Sequence, residues 1–240
     1  MVFIANQPIC EGYADCHRCD MRDIALFAEL STPDLDLITH PIQKFAFEAG
    51  SILYRTGDIG ENLYTIRRGI IKLVYYGSDG SQRIVRLLRP GSVAGIEALD
   101  GNTYEQTAIA LEDASVCKIA IEDVNRLDVE TRHLRHQLLE RWHTSVREAN
   151  YWIVFMSTGE AKVRVARLFL YLAGIKNECF LFSREDVGAV LGLTPETVIR
   201  IITDFRKRGI INRLNCNHYQ CDIEALRILA GHQAGSFQSP

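Results

Sequence analysis

SREDVGAVLGLTPETVIRIITDFRKRG, residues 183–209, decides how the rest of the chain is read. It has the pattern of two helices joined by a tight turn. Ser183 is a suitable N-cap, and Glu185 and Asp186 place negative charge where the helix dipole favours it. Val187, Val190 and Leu191 share one face, and Gly192 permits the left-handed backbone that ends a helix. Thr194 caps a second helix with Pro195 at its first position. Val198, Ile201, Ile202 and Phe205 form its apolar side. Glu196, Thr197 and Arg200 face outward near its N-terminal end, where a recognition helix meets base edges. Gly188 leaves room for a close crossing of the two helices. The pattern predicts a helix-turn-helix that enters a DNA groove, in preference to an ordinary helical hairpin.

A chain of 240 residues has room for two compact domains, and 47% hydrophobic with 24% charged residues is ordinary for a globular protein. The net charge of −3 excludes a nucleic-acid polycation. Locally the balance reverses: residues 194–213 hold five basic side chains (Arg200, Arg206, Lys207, Arg208, Arg213) against Glu196 and Asp204. That basic stretch suits phosphate contact. No run approaches the roughly 18 apolar residues of a membrane helix. The start, MVFIANQPIC, lacks the basic residues of a secretory signal. A cytoplasmic protein without a membrane segment is expected. In a reducing compartment its seven cysteines are expected to be metal ligands or free thiols.

Residues 1–25 read as a loop-like arm carrying Cys10, Cys16 and Cys19 in CEGYADCHRC. A Cys-x-x-Cys pair can share one metal centre, zinc among the options with His17 between the thiols; idle thiols are the alternative. A short helix is expected from Thr32 to Thr39. From residue 45 to 121 short β segments alternate with glycine turns: Lys44–Phe47, Ser51–Tyr54, Asn62–Arg67, Gly69–Tyr76, Gln82–Leu88, Ser92–Ala94, Glu105–Ala110 and Ser115–Ala120. Such spacing predicts an antiparallel barrel or jelly roll. One helix is expected from about Ile121 to Ser157. Its seam of Leu139, Trp142, Val146, Ala149, Ile153 and Met156 is spaced 3, 4, 3, 4, 3, as in a coiled-coil dimer, with Ala149 permitting the closest approach. Arg132 and Arg135 fall on the same seam and weaken it upstream, while His133, His136 and His143 read as a solvated face. A hinge at Ser157-Thr158-Gly159, a helix Ala161–Leu172, a strand Cys179–Phe182, a hairpin of Ile210–Leu214 with His218–Cys221 and a last helix Ile223–Ala230 complete a winged helix. The expected divisions are 1–25, the arm; 26–121, the barrel; 122–157, the dimerisation helix; and 158–240, the winged helix-turn-helix.

In this order the elements resemble the CRP/FNR family of bacterial transcription regulators over essentially the whole chain. The cysteine arm, LEDASVCKI around Cys117, LGLTPETVIR in the recognition helix and EALRILAGH near the end are similar to the FNR branch. The resemblance implies an α+β fold: an N-terminal antiparallel β jelly roll of the cyclic-nucleotide-binding kind, a long dimerisation helix and a C-terminal winged helix-turn-helix. It further implies a homodimer on palindromic double-stranded DNA, RNA polymerase contacts through the Tyr76–Gln82 loop, and activation of anaerobic genes. FNR-type proteins bind an oxygen-labile four-iron four-sulfur cluster through three arm cysteines and one from the barrel. Cys16 and Cys19 match the close pair and Cys117 the distant ligand, and thiolates are what such clusters require. The chain departs from the pattern at Ala25, six residues after the pair, and Cys10 is expected to replace the absent thiolate. Cyclic AMP is not expected: where that branch of the family has a phosphate-clamping arginine, this chain has Tyr104-Glu105-Gln106-Thr107 after Gly95-Ile96-Glu97. Glu196 and Arg200 match the family's base-reading pair, suited to cytosine and guanine edges. Thr194, before that pair, and Thr197, within it, belong to the expected DNA-binding set. Ile199 stands where the FNR branch has serine and suits a thymine methyl. Arg206, Lys207 and Arg208 suit phosphates. A haem- or thiol-based regulator of the same fold is the alternative. A cysteine-dependent enzyme is a remote one, because no orienting group or pocket accompanies Cys16, Cys19 and His17.

Overall fold

A computed structural model of the chain describes residues 8–28, 30–78, 80, 82–174 and 176–231, leaving the side chains of Arg132 and His133 outside the description. The N-terminal strands are β1 (Ile9–Tyr13), β2 (Gln43–Phe47), β3 (Ile52–Tyr54), β4 (Asn62–Arg68), β5 (Ile71–Tyr76), β6 (Gln82–Leu88), β7 (Val93–Ala94), β8 (Thr107–Ala110) and β9 (Ala114–Ala120). They form two antiparallel sheets, ordered β1-β2-β9-β4-β7 and β3-β8-β5-β6, which is the jelly roll that the glycine spacing predicts. The expected strands end within two residues of the observed ones. One expectation fails: the arm is not all loop, because β1 pairs with β2 from Ile9↔Ala46 to Tyr13↔Gln43. Asp79 and Ser81, in the loop assigned to polymerase contact, lie outside the described residues.

A short helix, α1 (Thr32–Leu35), is closed by a capping box between Ser31 and Asp34 and stops four residues short of Thr39. The long helix is also not continuous. α2 (Ile121–Glu130) ends at Thr131, whose extended backbone (φ −126°, ψ 128°) and hydroxyl bond to the Leu127 carbonyl (2.9 Å) terminate it. α3 (Arg132–Tyr151) follows and passes into a π-turn over Trp152–Met156. The periodicity misses both breaks because neither requires glycine or proline.

The C-terminal part contains α4 (Ala161–Leu172), β10 (Glu178–Phe180), α5 (Arg184–Leu191), α6 (Pro195–Lys207), β11 (Ile211–Arg213), β12 (His218–Cys221) and α7 (Ile223–Ala230). Its sheet runs β10-β12-β11. Buried Cys179 and Cys221 face each other there, their sulfurs 3.7 Å apart. The chain divides into two compact units, Met1–Tyr75 with Val85–Arg147 and Tyr76–Ile84 with Glu148–Pro240.

In the first unit Asp123 of α2 is 1% exposed and gathers the residues that precede β2. Its carboxylate accepts from the Thr39 hydroxyl (2.7 Å), the Thr39 and His40 amides (3.1 and 2.9 Å) and Arg126 (2.6 Å). Burial alone would raise its pKa; the Thr39 and His40 hydrogen bonds and the His40 charge overcome that and hold it below the ordinary carboxylate value. A lowered folded pKa stabilises above the unfolded value and loses that contribution as pH falls through the folded one. Asp123→Asn is therefore expected to cost about 1–3 kcal/mol at neutral pH. In urea titrations the gap to wild type should narrow as pH falls below about 4.

Candidate cofactor and nucleic-acid sites

β9 lies between β2 and β4, and alternation along the strand sorts its side chains to two faces. Lys44, Cys117 and Thr65 stand in register on one face; Phe45, Val116 and Ile66 stand on the other. The Cys117 face is covered by the segment that follows β1. There a 3-10 turn, Cys16–Arg18, is capped by the Asp15 side chain, which accepts from the His17 amide at 3.0 Å. The Arg22 guanidinium donates to the Cys16 carbonyl (3.0 Å) and the Leu30 carbonyl (2.6 Å), closing the arm on itself. The result is a cavity of about 40 Å³ walled by Cys16, Cys19 and Cys117 together with Ala25, Leu26, Phe27 and Arg67.

Arg67 was not singled out by the sequence, although its alternation with Thr65 along one strand is the signal that could have found it. It is the bulged residue of β4: Ile66 pairs with Val116 and Arg68 with Ser115, so Arg67 has no opposite number. Alternation from Thr65 puts Arg67 on the Cys117 face, and the bulge leaves it without a cross-strand partner. Its Nη1 points at the sulfurs of Cys19 (3.9 Å) and Cys117 (3.8 Å), while Nη2 donates to Asp20 (2.6 Å). Burial, with the neighbouring Cys117 and Cys19, pushes the Cys16 thiol up to about 11. Burial also raises Cys117, against the opposing hydrogen bond and charge of Arg67. At neutral pH Cys16 and Cys117 therefore stay protonated.

Cys10 is not brought to this cavity. Its ladder partner is Phe45, which shares a face with Val116, so Cys10 registers on the side of the sheet opposite Cys117 and is exposed. The expected replacement of the absent arm thiolate by Cys10 is thus corrected by strand register, a constraint that a loop-like arm does not carry. The position of the missing thiolate, Ala25, does line the cavity. Three soft donors from distant parts of the chain fit an iron–sulfur centre or a thiolate-bound metal. Among the described residues no three such side chains converge tightly enough here to hold a metal ion.

In the second unit the helix-turn-helix is built as its residues dictate. Ser183 accepts from the Asp186 amide at 3.0 Å, and Gly192 adopts φ 62°, ψ 46°. A Cβ on Gly188 would lie 2.5 Å from the Leu193 carbonyl oxygen, so only glycine permits this crossing. Thr194 caps α6 through the Thr197 amide (3.3 Å). Val198, Ile201, Ile202 and Phe205 are buried. Thr194, Glu196, Ile199, Arg200, Arg206, Lys207 and Arg208 are exposed and Thr197 is half-buried; Arg208 is partly engaged by Asp204 at 3.5 Å. On the long helix, Leu139 (64% exposed), Trp142 (45%), Val146 (47%) and Ile153 (65%) leave an apolar stripe open, with Ala149 half-buried among them. Met156 leaves that stripe: the π-turn carries it inward to 0% exposure, which corrects its place on the seam.

Residues 44–129 match the cyclic nucleotide-binding domain, and residues 163–229 match the Crp-like helix-turn-helix domain. The transcriptional activator protein anr of Pseudomonas aeruginosa is 28% identical over 92% of this chain and 94% of its own. The fumarate and nitrate reduction regulatory protein of Salmonella typhi is 28% identical over 90% of each chain. This chain belongs to the CRP/FNR family of transcription regulators. Among solved structures, FixK2 from Bradyrhizobium japonicum shares the fold with a TM-score of 0.73 at 23% identity, over 79% of this chain and 98% of that one. The Crp-like helix-turn-helix match spans α5 and α6. Among the described residues no helix is long and apolar enough to cross a membrane.

The thiol environments of this CRP/FNR regulator give a direct check. In metal-free protein at pH 8, iodoacetamide is expected to modify exposed Cys10 and Cys216 well before Cys16 and Cys117. Peptide mapping should show the Cys16 lag shrinking as pH rises toward about 11. Equal rates at pH 8 would refute the enclosed cavity.

Proposed function

We propose that this regulator senses oxygen or cellular redox state through an iron–sulfur cluster and transmits the state to DNA as a homodimer. The observation that carries the reading is the convergence of Cys16, Cys19 and Cys117 on one cavity. Those three thiolates would hold the cluster, whose chemistry is reaction with oxygen. Ala25 contributes no fourth ligand, and Cys10 lies elsewhere. Arg67 would set the charge beside two of the sulfurs. As placed, the three thiols do not converge tightly enough to hold a metal ion, so loading requires the arm to move.

Barrel packing supports the reading over a cyclic-nucleotide one. Near Gly95 and Glu97, Tyr104 stacks on Tyr54 with ring centroids 3.9 Å apart, and a Cβ on Gly95 would lie 2.8 Å from the Tyr104 ring. Aromatic side chains fill the stretch that resembles a phosphate cassette. On the output side, the exposed Leu139–Ile153 stripe pairs two copies, so that two α6 helices read a palindromic site. Glu196 and Arg200 contact base edges, Ile199 meets an apolar base edge, and Arg206, Lys207 and Arg208 hold phosphates. Activation in the absence of oxygen, through contacts with RNA polymerase, accords with the names of the relatives, which include transcriptional activators and a fumarate and nitrate reduction regulator.

Protein purified without air is expected to show a broad brown absorbance that bleaches in air, with iron and sulfide bound. Cys117→Ala should abolish both, whereas Cys10→Ala should retain them; sharp haem bands or a colourless protein would overturn the reading. Arg200→Ala should cost roughly 1–3 kcal/mol, confined to one base pair of the site in binding to base-substituted duplexes.

A further inference from the structure

Arg141 lies on α3 between Leu139 and Trp142 of the exposed stripe, but its guanidinium reaches back to the arm. Nη2 donates to the carbonyls of Ile24 (2.8 Å) and Ala25 (3.0 Å), and Nη1 to the carbonyl of Gly91 (3.3 Å). Ala25 is itself a wall of the cysteine cavity. One side chain thus joins the backbone that closes the cavity to the helix that carries the stripe. A second tie follows on the same helix: the Ser145 hydroxyl donates to the Arg141 carbonyl (2.9 Å) and accepts from Arg86 of β6 (3.2 Å). Leu138, on the same turn, packs against the barrel core, so α3 is fixed at this level rather than free to slide.

We propose that Arg141 is the positioning residue that couples the state of the cysteine cavity to the pairing face of α3. The proposal rests on the iron–sulfur reading above and deepens it. The coupling lies in shared acceptors. A guanidinium presents its donors in a fixed planar fork, so it reports the position of the carbonyls it bridges. Outward movement of residues 16–25 displaces the Ile24 and Ala25 carbonyls. Arg141 must then follow them, turning α3 where Leu139 and Trp142 lie, or release them. Either response gives the two arm positions different helix contacts, which is what any coupling between distant sites requires. Lysine offers one point charge in place of the fork and can satisfy only part of this geometry.

The test compares wild type, Arg141→Ala and Arg141→Lys, each purified without air and then exposed to it. Sedimentation gives the dimer dissociation constant in both states, alongside iron and sulfide content. Wild type is expected to dimerise several-fold more tightly before air. Arg141→Ala should retain iron and sulfide yet lose that difference, and Arg141→Lys should recover part of it. An Arg141→Ala protein with the wild-type difference overturns the proposal. If wild type itself shows no difference, the sensing reading fails, and a cofactor-independent measurement still decides the contact. In metal-free protein, amide hydrogen exchange over residues 21–28 should be faster in Arg141→Ala than in wild type. Unchanged exchange there overturns the role of Arg141 in holding the arm.

Discussion

The cysteine cavity depends on the alternation of side chains along β9. Because the strand is central in its sheet, neither of its faces meets water freely. Val116 serves the barrel interior at 0% exposure, while Cys117 and Ile119 look onto a layer formed by Leu26, Phe27 and Leu35. A one-residue slip of β9 would exchange Val116 and Cys117 and destroy core and cavity together. The same ladder that stabilises the barrel therefore fixes one donor of the site. The arm then needs only to be covered by hydrophobic residues and closed by Arg22 for Cys16 and Cys19 to meet it.

Much of this was legible in the residues. Glycine turns mark the strands, and Ser183, Gly188, Gly192, Thr194 and Pro195 each have a conformational reason that survives in the structure. What was not legible is tertiary. Cys10 is closer in sequence to the Cys16–Cys19 pair than Cys117 is, but pairing with Phe45 removes it to the other face. Arg67 follows Thr65 onto the Cys117 face by alternation, but which strand lies beside β4 is set by long-range pairing. Met156 fits the heptad spacing but is displaced by a π-turn, which adds a residue to the local repeat without leaving a glycine or proline to announce it. Strand pairing decided the place of Cys10, and a local change of helical repeat decided that of Met156.

The two halves of the regulator are held by different physics. The recognition helix is specified locally, by caps, a left-handed glycine and one apolar face, so its form does not depend on the sensor. The arm has little of this: its 3-10 turns are three residues long and its closure rests on arginine bonds to carbonyls. Segments with few buried apolar contacts open at low free-energy cost. A sensor needs that property at its input and the opposite at its output.

Charge completes the distinction. In the metal-free arm the Arg67 guanidinium is balanced by Asp20, at 2.6 Å and largely exposed. Thiolate ligation would bring negative charge to the sulfurs of Cys19 and Cys117, which already lie within 3.9 Å of the same guanidinium. Arg67 can then exchange an exposed partner for enclosed ones without moving far. Exposed ion pairs contribute little, whereas charges removed from water interact strongly. Alternation along β4 thus places a cation where it costs little in the empty arm and favours the ligated one.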